Sequence, residues 1–73
     1  MITFLTDSGA CYTMRDGVYT RVHNGETSTW RNAKARRPVR VGQHFEYSGS
    51  NGDCERFGPP SFLTSTVVSI SYT

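Results

Sequence analysis

Residues Ala10–Arg31, ACYTMRDGVYTRVHNGETSTWR, decide the fold. Two dipeptides punctuate the stretch, Asp16-Gly17 and Asn24-Gly25. Both residues of a two-residue hairpin turn must tolerate positive φ, and Asp-Gly and Asn-Gly do so at little cost. Between the turns the chain alternates. Ala10 to Met14 places Tyr12 and Met14 on one face and Cys11 and Thr13 on the other. Val18 to Val22 follows, with Val18, Thr20 and Val22 read as one face and Tyr19 and Arg21 as the other. Glu26 to Arg31 returns and ends on Trp30. The turns and the period of two predict an up-and-down meander through the first part of the chain.

The same reading extends outward. Ile2 to Thr6 is an apolar run closed by the turn residues Asp7-Ser8-Gly9. Asn32 to Arg37 breaks the pattern and reads as a loop with at most one helical turn, because Pro38 disfavours a helical Arg37. Val39 to Ser48 is extended, interrupted at Gly42, with Phe45 and Tyr47 sharing a face. Ser48 to Asp53 reads as a mobile turn, Cys54 to Phe57 as a short strand, and Gly58-Pro59-Pro60-Ser61 as a break. Phe62 to Tyr72 is rich in Thr, Val, Ile and Tyr and places Val68, Ile70 and Tyr72 on one face. No segment sustains a helical period. The expectation is one all-β domain over residues 1–73, a small barrel or rolled antiparallel sheet of about six or seven short strands. Closure would remove edges that otherwise invite pairing with other chains. The expected core is Ile2, Phe4, Tyr12, Met14, Val18, Val22, Val41, Phe45, Phe62, Val68 and Ile70, with Trp30 either a core ring or an exposed anchor.

Seventy-three residues make one thin core, and 36% apolar residues is low even for that size. The 12% aromatic content compensates, since rings bury the most area per residue. Self-association is the other common supplement for so small a core. Two cysteines, Cys11 and Cys54, do not make a disulfide scaffold, although a bridge between them would close a long loop. Residues Met1–Asp7 lack the basic start and long apolar stretch of a secretion signal, and no run approaches membrane-spanning length. A soluble intracellular protein with reduced thiols is therefore expected, with no membrane contact.

An opening Ile2-Thr3-Phe4, then Ser8-Gly9 and Tyr12, Val41-Gly42 in mid-chain, and a closing Leu63-Thr64-Ser65-Thr66-Val67-Val68-Ser69-Ile70 resemble a group of small uncharacterised proteins from phages of actinobacteria. The likeness covers the two ends better than the middle, and Thr66 stands where those proteins show a proline. It implies a phage accessory protein acting in the host bacterial cytoplasm. It brings no catalytic residues with it.

The feature with functional content is Trp30-Arg31-Asn32-Ala33-Lys34-Ala35-Arg36-Arg37-Pro38-Val39-Arg40. It holds five of the eight Lys and Arg residues, and no Asp or Glu lies between Glu26 and Glu46. Like charges at that density repel, stay in water and project a positive field. Arg also pairs carboxylates with a bidentate geometry that Lys lacks. Arg31, Lys34, Arg36, Arg37 and Arg40 are thus the expected partner-binding residues, with Trp30 as a desolvated anchor and an acidic protein as the partner. The opposing reading is a solvated loop that aids solubility. One alternative is a nucleic-acid-binding barrel that uses the same charges and stacks bases on Tyr19 or Tyr47, drawing on Tyr12, Tyr19, Trp30, Phe45 and Tyr47. A further alternative is an oligomeric virion or assembly protein. The net charge of +2 is weak support for nonspecific nucleic-acid binding.

Other constellations are thin. Cys11, His23, His44 and Cys54 complete a Cys2His2 set on paper but lack the close-spaced pair that zinc sites usually have, so no metal or other cofactor is expected. Cys54 with His44, or Cys11 with His23, would be the nucleophile pair of an enzyme, yet nothing marks either thiol as activated. Asp7, Asp16 and Asp53 sit in turns, where the side chain serves the backbone. A non-enzyme is the expectation.

Overall fold

The computed structural model describes residues 1–50 and 61–73. Six strands follow in order: β1 (Ile2–Thr6), β2 (Cys11–Arg15), β3 (Val18–His23), β4 (Glu26–Ala35), β5 (His44–Ser50) and β6 (Ser61–Tyr72). Each pairs antiparallel with the next, and β6 returns to β1, so the sheet closes into a barrel. The small all-β barrel expected from the turns is the fold. The expected strand at Cys54–Phe57, the break at Gly58–Pro60 and the latter part of the Ser48–Asp53 turn lie outside the described residues. Ser48-Gly49-Ser50 itself is the end of β5 and not a turn.

The two glycine dipeptides act as expected. Asp16 and Gly17 have φ of 48° and 76°, and Asn24 and Gly25 have 51° and 77°. These are the paired positive values of a type I′ hairpin. Asp7 N–H donates to the Thr66 carbonyl at 2.9 Å and Gly42 N–H to the Val67 carbonyl at 2.8 Å, so the turn after β1 and the end of the link from β4 to β5 meet β6 at adjacent residues.

Two long strands close the barrel by changing partners midway. β4 pairs with β3 as far as Trp30 and with β5 from Arg31 onward. β6 pairs with β5 up to Thr66 and with β1 from Val67. Each change is made at a register shift, where an extra residue bends the strand. In β4 the extra residue follows Arg31, and Asn32 has φ of 50°, a value Asn tolerates better than most. Asn32–Ala35 is therefore strand and not the loop expected from sequence. The same residue type marks turns and bulges, and only the partner strand tells them apart.

Opposite the β4 bulge lies Gly49. A Cβ there would sit 3.1 Å from Trp30 Cβ and 3.2 Å from both Ala33 Cα and Ala33 Cβ. β4 and β5 approach too closely at that point for any side chain. On β6, Thr64 fills the gap left by a second shift. Its Oγ1 accepts the Phe45 N–H at 3.0 Å and donates to the Ser65 carbonyl at 2.7 Å.

The core is Phe4, Ala10, Tyr12, Tyr19, Trp30, Ala33, Phe45, Tyr47 and Val67, with Met14, Val39, Phe62 and Ile70 packed against it. Its rings form a chain of contacts. Phe4 stacks on Tyr12 at 4.8 Å, Phe45 on Tyr47 at 5.7 Å and Tyr47 on Phe62 at 5.4 Å. Trp30 meets Tyr47 edge-on at 5.2 Å. Seven aromatic side chains thus fill a barrel that has few aliphatic ones.

Three expected core residues are exposed. Val22 faces out because β3 is inverted relative to the expectation. The tight turn pairs Met14 with Tyr19 and Tyr12 with Arg21. Directly opposed residues share a face, so Tyr19 and Arg21 point inward and Val18, Thr20 and Val22 outward. Val68 is the extra residue of a β6 shift, which sends Val67 to the core in its place. Val41 is the corner of a turn in which Gln43 N–H donates to the Arg40 carbonyl, with Gly42 at φ of 88°. Ile2 and Val18 are half-buried.

Candidate functional site

The basic segment is not a free loop. Arg31 and Lys34 stand on the outer face of β4, on either side of the bulge, opposite Ser50 and Ser48. Arg36, Arg37 and Arg40 continue on the link that follows. Arg36 N–H donates to the Glu46 carbonyl at 2.9 Å, Val39 packs on the core, and Gly42 N–H donates to the Val67 carbonyl at 2.8 Å. The link is therefore pinned at both ends. All five cationic residues are exposed. Arg37 lies 3.8 Å from Glu46, which also accepts a hydrogen bond from Ser61 Oγ at 3.1 Å. Among the described residues, Arg31, Lys34, Arg36 and Arg40 have no carboxylate within ion-pair distance. Ala35, Pro38 and Val41 are exposed among them.

Trp30 is not part of that surface. It is 4% exposed and belongs to the core. The cause is its cross-strand pairing with Tyr19, which also faces inward. The exposed-anchor assignment is therefore corrected. The stacking platforms of the nucleic-acid reading meet the same correction: Tyr12, Tyr19, Phe45 and Tyr47 are all buried in the barrel.

The thiol and imidazole candidates are scattered. Cys11 sits between Leu5 and Val22 on the outer face, whereas His23 shares the inward parity of Arg21. Their pairing as nucleophile and base is thereby excluded. The His44 ring bonds the Thr64 carbonyl at 2.9 Å through Nδ1, which must be the protonated nitrogen. Cys54 lies outside the described residues. Among the described residues no three His, Cys, Asp or Glu side chains gather as metal ligands.

A second locus, which the sequence did not single out, is formed by residues of β2 to β6. Tyr12, Arg21, Trp30, Tyr47, Phe62 and Thr64 surround a cavity of about 290 Å³. Burial holds the Tyr12 and Tyr47 phenols above their ordinary value of 10.0, and the Arg21 guanidinium opposes that rise in both. Tyr12 raises Tyr47 further, since two phenolates so close would repel. The signal for this site was the pairing across Asp16-Gly17, which fixes Arg21 as an inward residue once Tyr12 is placed in the core.

The chain is thus a small closed antiparallel barrel with a basic edge along β4 and the link after it, and a polar cavity lined by residues of β2 to β6. Among the described residues, no helix is long and apolar enough to cross a membrane. Comparison with known proteins finds no matching family, no similar curated protein and no similar solved structure.

Proposed function

We propose that this protein is a non-enzymatic binding module that docks an acidic protein surface through Arg31, Lys34, Arg36, Arg37 and Arg40. The observation that carries this reading is the pinned, exposed set of four cations with no carboxylate partner among the described residues. The pinned backbone gathers these cations on one exposed edge, and their field steers an acidic partner toward it. With Trp30 buried, the apolar part of the contact falls to Val41, 59% exposed, and its neighbour Pro38. Nucleic acid is less favoured, because the rings expected to stack bases are all committed to the core. The resemblance of the chain ends to actinobacteriophage proteins would make the partner a host protein met in the bacterial cytoplasm. An oligomeric virion role draws its support from the exposed apolar residues Leu5, Val22 and Val68 on the barrel wall.

The test is affinity capture from an actinobacterial lysate, with and without nuclease, comparing wild type with Arg36→Ala/Arg40→Ala. Retention of one discrete protein after nuclease treatment, lost in the variant, is the expected result. Capture that disappears with nuclease would replace this reading with the nucleic-acid one. No capture, combined with mass that grows with concentration, would favour assembly.

A further inference from the structure

Two side chains of the cavity at the barrel mouth are donors only. Arg21 can only donate hydrogen bonds, and so can the indole of Trp30. Trp30 Nε1–H is buried and has no acceptor among the described residues. Buried donors without partners are rare in folded proteins and call for a specific explanation, such as a bound ligand or water. The Tyr12 and Tyr47 hydroxyls keep their protons at neutral pH, and Ser8 and Thr64 complete the rim. No Asp or Glu is among the described lining residues.

Arg21 is also held in place without being neutralised. Its Nη2 lies 3.2 Å from His23 Nδ1. A guanidinium only donates, so Nδ1 is the acceptor and the ring's proton is on Nε2. Nε2–H in turn donates to the Ser8 carbonyl at 3.1 Å. His23 is thus a neutral brace for a cation with no carboxylate in ion-pair range among the described residues. The flat apolar wall is the half-buried Phe62, which meets Trp30 edge-on at 5.3 Å and has one face on Tyr47. At about 290 Å³ the space is at the lower edge of small-molecule sites, which run from ~300 to 1,000 Å³, and it suits one ring with a charged head.

We propose that the mouth of the barrel binds a small ligand made of an oxyanion on a flat apolar body, with the oxyanion on Arg21 and the indole N–H of Trp30 and the ring against Phe62. Carboxylate and phosphate share the chemistry that this site recognises. The site is separate from the basic edge, whose cationic side chains do not line the cavity.

The protein has one tryptophan, so its indole N–H gives a single proton–nitrogen resonance that reports on this cavity. Benzoate and phenyl phosphate are the probes; benzyl alcohol and inorganic phosphate are the controls. One or both probes should move the indole resonance saturably, and comparing them tells carboxylate from phosphate. Benzyl alcohol should bind about tenfold more weakly or worse, because it forfeits the charge-assisted contact. Inorganic phosphate should be similarly weak, because it forfeits the ring. Arg21→Gln should weaken the better probe by about tenfold with the spectrum otherwise intact. Arg21→Lys, which keeps the charge but not the fork, should fall between if Gln perturbs folding. The proposal is overturned if neither probe moves the indole up to about 10 mM. It is equally overturned if benzyl alcohol or inorganic phosphate binds as well as the probes, or if shifts gather only at Arg31, Lys34 and Arg36. That last pattern would leave the basic edge standing as the only anion-attracting surface.

Discussion

Replacing Gly49 with Ala should destabilise this barrel, against the usual benefit of removing a glycine from a strand. Without steric conflict, Gly→Ala stabilises by about 0.4–1 kcal/mol, because the unfolded chain loses freedom. Gly49 has no positive φ that would require glycine. The new methyl would instead lie 3.1 Å from Trp30 Cβ and 3.2 Å from Ala33 Cα and Cβ. Carbon pairs prefer about 3.5–4.0 Å, and none of these atoms is the free end of a flexible side chain. Forcing a methyl into a packed core costs about 1–3 kcal/mol. The balance is a net loss of about 1–2 kcal/mol, or about 5–15 °C in Tm for a domain of this size. Urea unfolding followed by the fluorescence of Trp30, which touches the site, would measure it. Ala33→Gly removes one of the three clashing atoms, so the double variant should lose less than the sum of the singles, by about 0.5 kcal/mol or more. A Gly49→Ala protein as stable as wild type would refute the close approach of β5 to the β4 bulge, and with it the way β4 changes partners.

Three further outcomes follow from the same packing. Thr64→Val strips the acceptor from the buried Phe45 N–H and should cost about 1–3 kcal/mol by urea unfolding, whereas Thr64→Ser, which keeps the hydroxyl, should cost less. Asn32 at φ of 50° should lose about 1 kcal/mol on change to Ala but little on change to Gly, and the difference between the two isolates the bulge conformation from side-chain contacts. The Tyr12, Tyr19 and Tyr47 phenols are raised above 10.0 chiefly by burial, so the folded state holds protons that the unfolded chain releases. Their contribution is whole below pH 10.0 and falls as pH rises beyond it, so urea midpoints should drop between about pH 10 and pH 11 while phenolate absorbance lags that of a denatured control.

The two proposed binding regions would draw on different physics. The edge from Arg31 to Arg40 is exposed, so its attraction is long-ranged and should weaken with salt. The mouth places Arg21 half-buried among rings, where a single charge is screened less and shape decides what enters.

Local chemistry in the chain determined the strand meander, its two type I′ turns and the cationic character of residues 31–40. Turn geometry depends on which residues tolerate positive φ, and a run of like charges is driven to water in any fold. Barrel closure was also foreseeable, from many short strands in one small chain. Much of the core was too, since Phe4, Tyr12 and Phe45 are buried as expected, but the facing of β3 and of Val67 and Val68 was not. Val22 reads as core by its own character, but the Met14–Tyr19 pairing turns it outward and brings Arg21 in. Counting across Asp16-Gly17 from Tyr12 would have found this, because opposed residues share a face. The exposure of Val68 and the burial of Val67, by contrast, depend on a bulge set by pairing with β1, a strand more than sixty positions away in sequence. The burial of Trp30 is instead relayed across the two hairpins, since it pairs with Tyr19, which pairs with Met14. Register is a property of two strands together, so no reading of one segment could decide it, and the mouth around Arg21 exists only because those registers converge there.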